Sequence, residues 1–238
     1  SETECITLTE APGIEFTFDV LEYPNGFNTS CGNICDGSID LSITGGMEPI
    51  DIDWTGPPGF IANTEDISDL CAGTYTATTT DANGCVQSAS VTLTQPTPIS
   101  IDLEAPVFGG GFEVSCFGAN TGSIVTTIEG GENGLSFSWS GPDGFTSADQ
   151  DLQNLFAGTY DLTVTDGNGC TSQSSVNLTQ PAEALSGSVA AFSFPSGDNI
   201  SCLGFNDGSI STIVTGGTEP YQFNWNGPDG FVSSDQNP

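Results

Sequence analysis

Cys116–Gly131 reads CFGANTGSIVTTIEGG, and the stretch occurs twice more with small changes: CGNICDGSIDLSITGG at Cys31–Gly46 and CLGFNDGSISTIVTGG at Cys202–Gly217. After a shared Gly-Ser-Ile, apolar and polar residues alternate up to a Gly-Gly pair. Alternation with period two marks a strand buried on one face, and the glycines end it. Outward from this strand, other segments keep step. WTGPPGF at Trp54–Phe60 returns as WSGPDGF at Trp139–Phe145 and WNGPDGF at Trp225–Phe231. CAGTYTATTTDANGC at Cys71–Cys85 returns as FAGTYDLTVTDGNGC at Phe156–Cys170. The spacing is 85 residues and then 86. A fixed period of this length is one small domain copied in tandem.

Within the second copy, ISIDLEAP from Ile99, GSIVTTIEGG from Gly122, LSFSW from Leu135, TYDLTVTD from Thr159 and SSVNLTQP from Ser174 read as strands. Phe137 and Trp139 take the core face. GPDG from Gly141 is a turn, LQNLFAG from Leu152 reads as a bend, and GNGC from Gly167 carries the Asn-Gly hairpin signal. No stretch has helical periodicity of useful length. Six or seven short strands per copy predict an all-β chain of tandem immunoglobulin-like β-sandwich repeats. The boundaries read as residues 1–13, the tail of a preceding repeat, 14–97 and 98–182, two full repeats, and 183–238, a truncated third. Short linkers at Pro96–Pro98 and Pro181–Glu183 predict a semi-rigid, extended rod.

The chain has no Lys, Arg or His and 31 acidic residues, so its net charge is −31. Side-chain salt bridges cannot form. Nucleic acid and anionic membrane surfaces are repelled rather than bound. No apolar run is long enough to cross a bilayer as a helix, so no membrane insertion is expected in this segment. High charge can signal disorder, but regular alternation, turn residues at fixed places and recurring cysteines argue for folded modules.

Eight cysteines without a CxxC pair or a histidine point to disulfides in an oxidising, extracellular compartment rather than to a metal site. Cys31 and Cys85 correspond to Cys116 and Cys170, which predicts the bridges Cys31–Cys85 and Cys116–Cys170. The second of each pair follows the hairpin after the Tyr-bearing strand, so the bridge should tie a loop or strand edge, not the core centre. Cys35 and Cys71 occur only in the first full copy; Asn120 and Phe156 replace them in the second. Their joint appearance predicts Cys35–Cys71. Cys5 and Cys202 are left without partners in this window.

Without His or Lys, only carboxylates could do acid–base work. Asp51 with Asp53, and Asp149 with Asp151, have the spacing, but short repeat loops do not build the cleft such catalysis needs. They read as solvated acidic faces, no catalytic residue is assigned, and the segment is expected not to be an enzyme. Asp81, Asn83, Asp166 and Asn168 offer oxygens to calcium, but no spaced Asp-x-Asp-x-Asp-Gly loop is present, and Asp capping a turn with Asn preceding Gly is the favoured reading. No cofactor is expected beyond weakly held calcium. Trp54, Trp139 and Trp225 sit in alternating strands and read as core. Phe60, Phe145 and Phe231 follow the Gly-Pro turns and read as loop plugs. Asn28, Asn177 and Asn199 lie in Asn-x-Ser/Thr sequons, which matter only in a host that glycosylates them.

The composite of Cys-x-Gly-x-x-x-Gly-Ser-Ile, Thr-Gly-Gly, Trp-x-Gly-Pro, Ala-Gly-Thr-Tyr and Thr-Asp-x-Asn-Gly-Cys resembles the SprB repeat of very large adhesins in gliding Bacteroidota. The resemblance runs over essentially the whole chain. The first copy departs from it, with Cys35 set into the signature. What the resemblance implies is export by the type IX secretion system, a place on a mobile cell-surface filament, and partners in the gliding machinery and in other repeats of the same polypeptide. The family has no catalytic residues to carry over. Two other readings stay open: an array that itself grips surface polysaccharide, and the accessory stalk of a secreted hydrolase.

Overall fold

The computed structural model describes residues 12–132 and 134–238. Cys5 and most of the segment read as a preceding tail lie outside them. The first copy holds β1 (Glu15–Val20), β2 (Gly37–Thr44), β3 (Asp51–Gly56), β4 (Phe60–Ala62), β5 (Ile67–Leu70), β6 (Gly73–Thr80) and β7 (Val86–Leu93). They form two sheets, β1-β2-β5 and β4-β3-β6-β7. Pairing of β2 with both β1 and the distant β5 gives the Greek-key connection of an immunoglobulin-like sandwich.

Period-two sequence explains why these strands pack as they do. In β6, Tyr75, Ala77 and Thr79 point inward and are buried. Thr74 and Thr76 point outward, and their hydroxyls meet those of Thr92 and Ser90 across the β6–β7 ladder at 2.8 Å each. Ile39, Leu41, Trp54, Ile67, Leu70, Tyr75, Ala77 and Leu93 form one core between the sheets. Trp54, 1% exposed, packs its ring 5.9 Å from Phe18 and donates its indole N–H to the Thr64 carbonyl at 3.0 Å.

The second copy repeats the plan with β8 (Ser100–Glu104), β9 (Gly122–Glu129), β10 (Leu135–Ser140), β11 (Thr146–Ser147), β12 (Leu152–Leu155), β13 (Gly158–Asp166) and β14 (Thr171–Leu178). Its sheets are β12-β9-β8 and β11-β10-β13-β14. Trp139 is 1% exposed and Phe137 half-buried. The segment read as a bend from Leu152 opens as a strand, β12, paired with β9. A bulge between Gln153 and Leu155, with Asn154 at φ 58°, turns both Leu152 and Leu155 inward. The extra residue destroys the period-two signal, which is why the strand is not legible in sequence. In the third copy β15 (Ser186–Ala191) pairs with β16 (Ile210–Thr215), and β17 (Trp225–Asn226) with β18 (Val232–Ser233).

The chain forms two compact units that do not follow the repeat boundaries. One takes the chain to Ser100 together with Ile128–Ser136 and Val164–Ser172; the other holds Ile101–Thr127, Phe137–Thr163 and Gln173–Pro238. Two loop regions of the second copy therefore belong with the first copy.

Candidate functional site

The loop between β1 and β2 is stitched to the chain leaving β7. The Asn28 side-chain oxygen accepts the Thr94 N–H at 2.9 Å and its hydroxyl at 3.0 Å, and the Asn28 amide donates to the Leu21 carbonyl at 2.9 Å. The Gln95 side-chain oxygen accepts the Asn33 N–H at 3.0 Å. Within the loop, burial pushes the Asp36 carboxyl up, but hydrogen bonds from the Ser30 hydroxyl and N–H outweigh this and hold it below the usual range. Cys35 at the end of the loop is bonded to Cys71, at the corner between β5 and β6.

That corner has its own lock. The Tyr75 hydroxyl donates to the Cys71 carbonyl at 3.0 Å, and the Tyr160 hydroxyl to that of Phe156 at 3.0 Å. This is the tyrosine corner of immunoglobulin-like domains. Burial raises the pKa of both phenols. The corner needs glycine: Gly158 sits at φ +145°, and a Cβ there would stand 2.3 Å from Pro142 Cγ. The Ala-Gly-Thr-Tyr motif repeats in the sequence, but the hydroxyl's backbone partner is set only by the turn.

At the far end of the β6–β7 hairpin, Asp81 organises the turn that carries Cys85. One carboxylate oxygen accepts the Asn83 and Cys85 N–H groups at 2.9 and 2.8 Å, and the other accepts the Met47 N–H at 3.1 Å. The Cys85 N–H, despite opposing burial, holds the Asp81 carboxyl below its usual range. Asp166 makes the same set with Asn168, Cys170 and Glu132 at 2.9, 2.9 and 3.1 Å. Three N–H groups direct their positive ends at each carboxylate, the arrangement of a turn cap. Among the described residues no group of three or more Cys, Asp or Glu is placed to hold a metal ion.

The disulfides depart from the expected pattern. Cys31 is bonded to Cys170, 139 residues on, with Cα atoms 5.6 Å apart. Neither Cys31–Cys85 nor Cys116–Cys170 forms; Cys85, Cys116 and Cys202 are exposed free thiols. The reason is strand length. Cys31 lies beside the chain leaving the end of β7, whereas Cys85 precedes its start. The eight residues of β7 span about 24 Å, and a disulfide requires Cα atoms within about 7 Å. The equivalent turn of the second copy meets the Cys31 loop instead. Pro96, Pro98, Gly32 and Asp166 line the cleft around the bond. Gly32 permits this approach, because a Cβ there would lie 2.7 Å from Pro98 Cγ. The Thr97 carbonyl accepts the Gly131 N–H at 3.2 Å, and the Glu132 carbonyl accepts the Gly167 N–H at 2.9 Å. Cys170 is only 9% exposed.

The other candidate residues do not assemble. Asp51 and Asp53 are exposed on β3. The Asp151 carboxylate accepts the Thr126 N–H at 2.9 Å, and the Asp149 carbonyl accepts the Trp139 indole N–H at 2.9 Å. Both act as strand braces. Phe60 and Phe145 stack edge-on against Tyr75 and Tyr160 at 5.3 Å, plugging the loops; Phe231 is 50% exposed. The Asn28 sequon amide is held within its own loop, and Asn199 donates likewise to the Phe192 carbonyl.

A family model, SprB repeat, matches residues 113–144 and 197–230. These two segments are similar to the SprB repeat. The first matched segment runs from the loop before β9 through β10 to the Gly-Pro-Asp-Gly turn, and so includes Cys116. No curated protein matches the chain. A solved structure described as "Structure of amphioxus IgVJ-C2 molecule" aligns with 68% of this chain and 96% of its own, at 18% identity and a TM-score of 0.27. The assignment of the fold rests on the sheets and cores themselves.

Proposed function

We propose that this chain is a load-bearing repeat segment of a very large cell-surface adhesin filament, exported by the type IX secretion system and used in attachment and gliding. The observation that carries the reading is the match of two segments, one period apart, to the SprB repeat. Two further features support it. The Cys31–Cys170 and Cys35–Cys71 bonds suit an oxidising extracellular setting. A disulfide that joins one repeat to the next adds a second covalent link beside the backbone. The segment projects and bears load; it carries no catalysis and holds no cofactor in this reading. Trp54 and Trp139 lie inside the cores and offer no platform for sugars, which favours the structural role over polysaccharide binding; Trp225, read as core with them, is only half-buried.

An antibody raised against residues 1–238 tests the reading on intact cells of the source organism. Surface labelling that vanishes when type IX secretion is disabled, with loss of attachment and gliding when the gene is deleted, is the expected result. Antigen found only inside intact cells overturns it.

A further inference from the structure

The Cys31–Cys170 bond changes the route that a pull along this chain must take. Tension from the N-terminal side passes β1 and reaches Cys31. Two routes lead on: the backbone through residues 32–169, or one disulfide straight to Cys170, 139 positions on. The bonded Cα atoms lie 5.6 Å apart, whereas the backbone between them, drawn out, reaches on the order of 470 Å. The short route is taut long before the long one. Every strand from β2 to β13 lies on the long route, including those that carry Trp54, Tyr75, Trp139 and Tyr160. So does the Cys35–Cys71 bond. The short route keeps one strand of each full copy. β1 is an edge of the β1-β2-β5 sheet, and β14, which starts at Thr171 beside Cys170, is an edge of β11-β10-β13-β14. Each is pulled at both of its own ends, while its neighbour, β2 or β13, belongs to the slack loop. Tension has no second grip on either sandwich with which to shear its sheets. Loaded and slack chain meet where Asn28 accepts the Thr94 N–H and hydroxyl.

We propose that the Cys31–Cys170 bond is a redox-controlled tension bypass. While it is intact, a pull along the chain skips residues 32–169, so the cores of both full copies stay out of the line of force. Reducing it puts them in line and makes the segment extensible. The inference goes beyond the adhesin reading and does not rest on it, because it holds for a pull from any source. A dithiol serves as the reductant. One of its thiolates attacks a sulfur of the bond and frees the other cysteine as a thiol. Its second thiolate then attacks the mixed disulfide and frees the first cysteine. One protein disulfide becomes two thiols as the dithiol becomes a cyclic disulfide.

The test is single-molecule stretching of the 238-residue chain between two fused handle domains. Cys5→Ser, Cys85→Ser, Cys116→Ser and Cys202→Ser remove the other thiols. A second chain adds Cys31→Ser and Cys170→Ser. Without reductant, the fully extended parent should be shorter than this variant by about 350 Å, the reach of the bypassed residues less the 36 held by Cys35–Cys71. Extended length does not depend on whether the variant folds. Dithiothreitol is then added to the parent at a held force. Loss of Cys31–Cys170 should give a step of about 350 Å, followed by one of about 120 Å when Cys35–Cys71 opens. Where the inner bond has been reduced first it opens unseen, and one step of about 470 Å appears instead. A step of about 120 Å ahead of the long one would show that the inner loop was already under tension. That order, or equal extended lengths of parent and variant without reductant, overturns the proposal.

Discussion

The first and second copies share one sandwich plan and differ in how their ends are fastened. Trp54 and Trp139 are equally buried, Tyr75 and Tyr160 lock the same corner, and Asp81 and Asp166 cap the same turn. The first copy adds the Cys35–Cys71 bond. In the second, exposed Phe156 takes the place of Cys71, and its carbonyl still accepts the tyrosine hydroxyl. Asn28 in the first copy gives way to Glu113 in the second, and each accepts the N–H and hydroxyl of the following Thr94 or Thr179. The comparison teaches that backbone geometry is the common property of the repeats. Side chains at the ends vary wherever another group can satisfy the same donors.

The largest expected effect probes what is common. Trp54→Ala and Trp139→Ala should each destabilise their own copy by about 3–5 kcal/mol, because each opens a cavity in a core of the same design. Hydrogen exchange read by mass spectrometry reports the copies separately; a cost in only one would break the equivalence of the cores. Next comes what is different. Cys35→Ser with Cys71→Ser closes no loop of 36 residues and should cost the first copy about 2–4 kcal/mol, leaving the second unchanged. Equal exchange rates before and after would show the staple to be idle.

A smaller effect belongs to the corner. Tyr75→Phe and Tyr160→Phe should each cost about 1 kcal/mol, the worth of one hydrogen bond, with equal shifts in urea midpoint. Unequal shifts would mean that the Cys35–Cys71 bond holds the first corner without its tyrosine.

The smallest effect is a pH difference at the Asn28 and Glu113 position. The Thr179 hydroxyl and N–H hold the Glu113 carboxyl below its usual range. A depressed folded pKa adds stability above the unfolded value, about 4.3 for Glu, and that stability is lost as pH falls through the folded value. Glu113→Gln should therefore soften the acid loss in the second copy, by no more than about 0.5 kcal/mol at so solvated a site. Melting temperatures of parent and variant across pH 2 to 6 check this; identical curves would remove Glu113 from the account.

Much of this protein was legible in its residues. Strict alternation in GSIVTTIEGG and TYDLTVTD marks β9 and β13, and the Asn-Gly turn marks the hairpin to β14. The buried tryptophans follow from their place in alternating strands. The β12 strand was not legible, since its bulge scrambles the period at Asn154. Sequence could assign the turn around Asp81 and Asp166 either to capping or to calcium; the three N–H donors at each carboxylate are visible only in space.

The cysteines divide the two levels most clearly. The repeat by itself determined that Cys31 and Cys116 are one kind of position and Cys85 and Cys170 another, and that the kinds are suited to pair. It could not determine in which copy the partner lies. Shifting a pairing by one whole period leaves the pattern unchanged, so Cys31–Cys85 and Cys31–Cys170 look alike along the chain. Tertiary structure decided, because β7 holds the two kinds of end about 24 Å apart within one sandwich while Gly32 lets the next copy's turn come within bonding reach.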